Sequence, residues 1–352
     1  MTHSTLIKLS VEDAILKNHI QEMIRKYPVY HIFNPIEHSN LPEQERFKLY
    51  TEAAKLAELV ILEELSIKQE IKETMDAIVR LGMPESCSIL ISWRTALAAA
   101  HPNRSAMYII LNGFRKWLET TNPIMRELFF TNLSKLALCA HKLGIEGIQE
   151  LVQKTNDLET LEEGQKFITT ISFYGSIAAP IILGISRIAH KAIKLEKPIY
   201  LEKLITTIAP EKIAEDNEAM NLVPALAQLL EIYDKQNKDL WCEILDLILT
   251  IAEKDYSSAY AVTCRLSKQL LRLSPDVISY YLEDYGKLIQ TVELRVVGFG
   301  LNKLPKLYSK YGVQQTRTFV EAIALVAQKY GTTAAEWFFY QKTTVSKRLL
   351  NR

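Results

Sequence analysis

The residues of this 352-residue chain best suited to metal or nucleophilic chemistry are seven histidines and four cysteines. Their spacing supports neither use. His3, His19, His31 and His38 crowd the first 38 residues, but none lies four residues from another as a helical zinc pair would. They read as a surface cluster, and no metal site is expected. His101, His141 and His190 each precede Pro or Lys at a helix end, 40 and 49 residues apart. In a stacked helical array they would form a row along one edge, either satisfying helix ends or offering a titratable ridge to a partner. Cys87, Cys139, Cys242 and Cys264 are far apart and sit mostly in apolar helical runs, which predicts buried free thiols in a reducing compartment. Gly298-Phe299-Gly300 lacks the third glycine, buried strand and lysine of a phosphate loop. The chain contains no Gly-x-Ser-x-Gly elbow, His-Glu-x-x-His helix or Cys-x-x-Cys pair. No cofactor is expected and the chain reads as non-enzymatic, with an all-α enzyme built from dispersed residues as an alternative.

A different chemistry gathers at the C-terminal end, where aromatic residues concentrate. The stretch "AAEWFFYQKTTVSKRLLNR" places Trp337, Phe338, Phe339 and Tyr340 on all sides of one helix, so at least one ring should face outward. With Lys342, Lys347, Arg348 and Arg352 nearby, it reads as an anchor for a protein partner, with Trp337, Phe338, Tyr340, Lys347 and Arg348 as the contact residues. The same combination could stack on and neutralise single-stranded nucleic acid, which makes that the second partner class.

The elements that position these residues are helical. Lys plus Arg number 42 against 41 Asp plus Glu, so no global field draws in nucleic acid or an anionic membrane. Only 12 Gly and 12 Pro punctuate a chain rich in Leu, Ile, Ala, Lys and Glu, which predicts long helices over sheet. The punctuation recurs. Breaks fall around Pro102, Gly144, Tyr256, Pro275, Gly312 and Gly331, with others at Glu196-Lys197-Pro198 and Gln236-Asn237-Lys238, giving a step near 19 residues or about 40 for a pair. Three breaks share a phrase: Ala140-His141-Lys142-Leu143-Gly144, Tyr308-Ser309-Lys310-Tyr311-Gly312 and Ala327-Gln328-Lys329-Tyr330-Gly331. The glycine suits the left-handed conformation that ends a helix, and the lysine faces the negative end of the helix dipole. Ser274-Pro275-Asp276 is the matching start signal.

Other passages depart from that rhythm. Tyr27 to Gln44, with prolines at 28, 35 and 42, reads as an extended strap after a first helix at about Val11 to Lys26. Glu43 to Leu81 lacks Gly and Pro, and reads as one helix of about 55 Å or as two helices broken near Ser66. Val292 to Leu304 reads as an irregular helix joint. Phe167 to Ser186 carries no charge over 20 residues and is the only membrane candidate. Its Thr, Ser, Tyr, Gly and Pro content favours a central buried helix. The N-terminus shows no signal-peptide pattern, which with the cysteines predicts a cytoplasmic protein.

The phrases around the breaks resemble an α-solenoid of the HEAT or armadillo type over residues 85 to 345. That resemblance implies an all-α superhelix of antiparallel pairs with roughly 15–18 helices. N-terminal helices would occupy 1–84 and the repeat array 85–352. "SPDVISYYLEDYGKLI" and "YGTTAAEWFFYQKTTVSKRLL" are also similar to helical arrays found upstream of a von Willebrand A domain in some bacterial proteins. This chain has no Asp-x-Ser-x-Ser loop, so only the array would be shared. The expected function is a scaffold that holds a protein partner along a groove or edge.

Overall fold

Alternating hydrophobic stripes and capped breaks drive this chain into helices packed in two compact units, Met1–Ala179 and Pro180–Arg352, in a computed structural model. The structure describes residues 11–26, 29–61, 68–175, 177–215, 217–234, 238–291 and 294–339. Among these residues there is no strand.

The first unit runs through α1 (Val11–Lys26), α2 (Tyr30–Glu37), α3 (Glu43–Ile61), α4 (Lys68–Val79), α5 (Glu85–Ala100), α6 (Arg104–Thr120), α7 (Pro123–Leu136), α8 (Ala140–Asn156) and α9 (Leu161–Phe173). Local chemistry sets its boundaries. The Asn103 side chain accepts from the Ala106 amide at 3.1 Å to start α6, and Asn122 caps α7 with Pro123 as its first residue. Thr160 and Glu163 form a reciprocal capping box at α9. α5, α6 and α7 begin at Glu85, Arg104 and Pro123, a step of 19 residues.

Each helix packs against the next but one. α2 contacts α4, α4 contacts α6 and α6 contacts α8, while α3 contacts α5, α5 contacts α7 and α7 contacts α9. The α3–α5 and α4–α6 contacts carry this pattern across residues 84 and 85. Ion pairs mark the same seams: Arg94 to Glu52 at 3.1 Å, Arg126 to Glu85 at 2.6 Å and Lys116 to Glu146 at 2.7 Å. Arg115 reaches Glu70 at 3.3 Å and Glu73 at 3.1 Å. At their partly exposed positions such pairs contribute about 0–1 kcal/mol each, so they set register more than stability. The core supplies the stability. Trp93 and Phe114 rings lie 5.2 Å apart, Phe114 and Phe130 4.7 Å, and Phe129 and Phe130 5.5 Å, joining α5, α6 and α7 through one aromatic row.

The second unit contains α10 (Ala179–Lys194), α11 (Ile199–Thr207), α12 (Pro210–Glu215), α13 (Asn217–Asp234), α14 (Lys238–Ala252), α15 (Tyr256–Leu270), α16 (Pro275–Thr291) and α17 (Leu294–Tyr330), followed by helical residues 332–339. α13 packs on α15 and α15 on α17, while α11 packs on α14 and α14 on α16. α15, α16 and α17 begin at Tyr256, Pro275 and Leu294, again 19 residues apart. Asp255 caps α15 by accepting from the Ser258 amide at 2.6 Å.

Several sequence expectations need correction. Tyr27 to Gln44 is not an extended strap, because Tyr30–Glu37 is helix α2 despite Pro35. Val29, Ile32, Phe33 and Ile36 are all buried, and their 3-and-4 spacing outweighs the proline. His31 lies in the same helix, 3% exposed, so it does not belong to a surface cluster; His19 and His38 are exposed, and His3 falls outside the described residues. Glu43 to Leu81 forms two helices, α3 and α4, which join different packing rows; Ser66 lies outside the described residues.

Phe167 to Ser186 is not one buried helix either. α9 ends at Phe173 and α10 begins at Ala179. A Cβ on Gly175 would sit 2.3 Å from the Lys135 carbonyl oxygen, so backbone meets backbone where the two helices part. No helix among the described residues is long and apolar enough to cross a membrane. From Leu294 onward the expected irregular joint is regular α17 backbone; Val292 and Glu293 lie outside the described residues. Of the four free cysteines, Cys139 and Cys242 are buried, but Cys87 is only half-buried and Cys264 is exposed, since it lies off the face α15 buries through Val262, Thr263 and Leu266. Burial pushes the Cys139 thiol up to about 11.

Candidate functional site

Polar residues at helical spacing on two neighbouring helices create the one cleft that stands out in the second unit. α14 contributes Glu243, Asp246, Leu247 and Thr250, and α16 contributes Ser279, Glu283, Gly286, Lys287 and Gln290, each set lying along one helix face. The enclosed volume is about 420 Å³. Tyr280, partly exposed, stands at its edge.

Two of the three carboxylates already have cations. Lys203 of α11 donates to Asp246 at 2.7 Å and to the Thr250 hydroxyl at 3.2 Å. Glu283 takes Lys287 at 2.9 Å and Arg317 at 2.8 Å, and its hydrogen bond with Lys287 holds its carboxyl below the usual range. The Arg317 guanidinium also lies 5.1 Å from the centre of the Tyr280 ring. Glu243 differs. Burial raises its carboxyl above the usual range, Ser279 pulls it back, and Asp239 and Glu283 add to the rise. Its Oε2 is buried and makes no hydrogen bond among the described residues. An acid with a burial-raised affinity for its proton, in a cleft, marks a candidate site. The arrangement is equipped to hold a hydrogen-bond donor or a cation.

Behind the cleft lies a buried network. Asp284 is 1% exposed and accepts from the Tyr308 hydroxyl, while Arg317 Nε lies 3.7 Å from its other oxygen. Tyr281 and Tyr285 stack with ring centres 5.9 Å apart, and burial raises both phenols. Burial also raises the Asp284 carboxyl, against the pull of Tyr308 and Arg317. A raised carboxyl holds its proton more tightly in the fold than in the unfolded chain. Its contribution is therefore present at low pH and lost as pH rises from the ordinary aspartate value through the raised one. Asp284→Asn keeps an acceptor for Tyr308 and cannot ionise. It is expected to melt at or above the wild-type temperature at pH 7, with the difference shrinking toward pH 4, as followed by circular dichroism. A variant that melts lower at pH 7 would show that attraction to Arg317 outweighs burial.

The residues singled out from sequence do not converge on this cleft. Trp337 faces outward, 65% exposed, as the four-ring arrangement required. Phe338 is half-buried and stacks on Phe319 at 6.0 Å, and buried Phe339 stacks on the same ring at 6.1 Å, so both are occupied in packing. Tyr340, Lys347 and Arg348 lie outside the described residues. His101 is exposed at the end of α5, and His141 is exposed at the start of α8. The Asn103 amide nitrogen lies 3.1 Å from His141 Nδ1, which ties these two helix ends together. His190 is half-buried in α10 of the other unit. No group of three or more His, Cys, Asp or Glu able to hold a metal occurs among the described residues.

Sequence reasoning missed the cleft because its acids look like solvated helix faces. One signal was present: Asp246 and Glu283 are 37 residues apart, one helix pair along the chain. No family model, curated protein or solved structure matches the chain.

Proposed function

We propose that this chain is a non-enzymatic α-solenoid scaffold, of the HEAT or armadillo kind, that engages a protein partner along its helical rows. The observation that supports this best is recurrence. Helices begin every 19 residues in both units, each packs on the next but one, and polar contacts repeat at nearly the pair distance, as in Arg126 to Glu85 and Lys203 to Asp246. A chain built this way spends its apolar faces on neighbours and leaves grooves between helices of one row open to a partner. The four free cysteines fit a reducing compartment such as the cytoplasm.

Trp337 serves as an anchor in this reading, being a large ring left exposed beside two rings that pack. Affinity purification with mass spectrometry from the native host tests it. Trp337→Ala is expected to lose a protein that wild type retains, with no change in melting temperature because the ring is exposed. Retention of the same protein would remove the terminal helix from the interface. Nucleic acid is the competing partner class, and the carboxylates of the cleft oppose it. Steep, salt-dependent binding of labelled RNA would favour that class instead.

A further inference from the structure

The α14–α16 cleft is one cation short. Three carboxylates line it with one lysine, and the cations that approach from outside the lining, Lys203 and Arg317, are committed to Asp246 and Glu283. Glu243 has only Ser279 nearby, and its Oε2 is buried without a partner. A buried carboxylate oxygen without a donor is costly, so the site gains most from a ligand that brings charge and N–H together. The shape agrees. A Cβ on Gly286 would meet only Leu247 Cδ1, at 3.9 Å, so the floor of the cleft is open where a larger residue would fill it. Tyr280 at the edge offers a ring face along which an aliphatic stem or guanidinium can lie.

We propose that this cleft is a docking slot for one lysine or arginine side chain of a basic peptide segment, with Glu243 Oε2 as its acceptor. The proposal rests on the scaffold reading and names the chemistry of the partner. Charge selects the occupant: an acidic peptide or a phosphate backbone would meet Asp246, Glu283 and Glu243 with the wrong sign. Ser279, Thr250 and Gln290 supply neutral hydrogen-bonding groups around the head group.

The test uses the full chain and fluorescence anisotropy with fluorescein-labelled hexa-arginine, hexa-lysine, hexa-glutamate and a uridine 12-mer. Hexa-arginine or hexa-lysine is expected to bind, and the two anionic probes are not. Glu243→Gln keeps the shape and removes the charge, and should weaken cationic binding about tenfold. Gly286→Met should abolish it by filling the floor, while the melting temperature stays level or rises because glycine is a poor helix former. Failure of both cationic probes to bind, equal binding of hexa-glutamate or the uridine 12-mer, or unchanged binding in either variant would overturn the proposal. Repeating the native-host capture with both variants separates the two readings. A partner retained by Glu243→Gln and Gly286→Met removes the cleft and leaves the scaffold. Cationic binding that is lost in both variants, together with a wild type that captures no protein, keeps the cleft and removes the scaffold.

Discussion

Trp117→Ala is expected to destabilise the protein by about 3–5 kcal/mol, the range for removing a fully buried large aromatic side chain. The indole is 0% exposed, and its Nε1 donates to the Ile145 carbonyl at 3.2 Å. That carbonyl follows Gly144, where α8 bends, so the ring fixes the bend to α6. Space for it is reserved one turn earlier: a Cβ on Gly113 would lie 2.3 Å from the ring. Alanine would leave a cavity beside Phe114 and strand a backbone acceptor at the same time. Trp117→Phe separates the two effects, since it keeps most of the volume and loses only the donor, at about 1 kcal/mol. Urea denaturation followed by circular dichroism gives both numbers, with exposed Trp337→Ala as a control expected to shift by less than about 0.5 kcal/mol. A Trp117→Ala loss below about 1 kcal/mol would show that the α6–α8 contact repacks freely.

The step between helices was legible because it is written in local chemistry. Asn103, Asn122-Pro123, Asp255 and Pro275 cap or open helices through atoms within three residues of themselves. What stayed hidden depends on distant partners. The break inside Phe167–Ser186 carries no charge or repeat phrase, and its cause is the approach of Gly175 to Lys135, 40 residues earlier. Pro35 pointed toward extended chain, but tertiary burial of Ile32, Phe33 and Ile36 decided for helix. The exposed Trp337 followed from four consecutive rings on one helix, whereas Glu243 gave no local sign of its isolation. Its character comes from Ser279, Asp239 and Glu283, and two of those lie on α16, which reaches α14 only through the next-but-one packing.

Gly312→Ala and Gly312→Asn are expected to cost about the same, roughly 1–3 kcal/mol each. Sequence reasoning placed this glycine in the left-handed helical region, where asparagine is a tolerated substitute. The backbone differs: Gly312 has φ 75° and ψ 176°, and Gly144 has φ 66° and ψ 179°. With ψ near 180° the conformation is open to glycine alone, and the asparagine side chain has no local hydrogen bond to offer there. Nothing lies within 4 Å of a Cβ built at either position, so the cost is backbone strain without a tertiary clash. The bend also has a structural task. Tyr308 before it and Arg317 after it both reach Asp284, and Arg317 continues to Glu283 at the cleft. Straightening the chain at 312 would pull one arm from that carboxylate, so the strain cannot relax without breaking the network. Melting temperatures of the two variants should fall together, and the Arg317–Glu283 contact should weaken with them. An asparagine variant close to wild type, with alanine well below it, would return Gly312 to an ordinary left-handed cap.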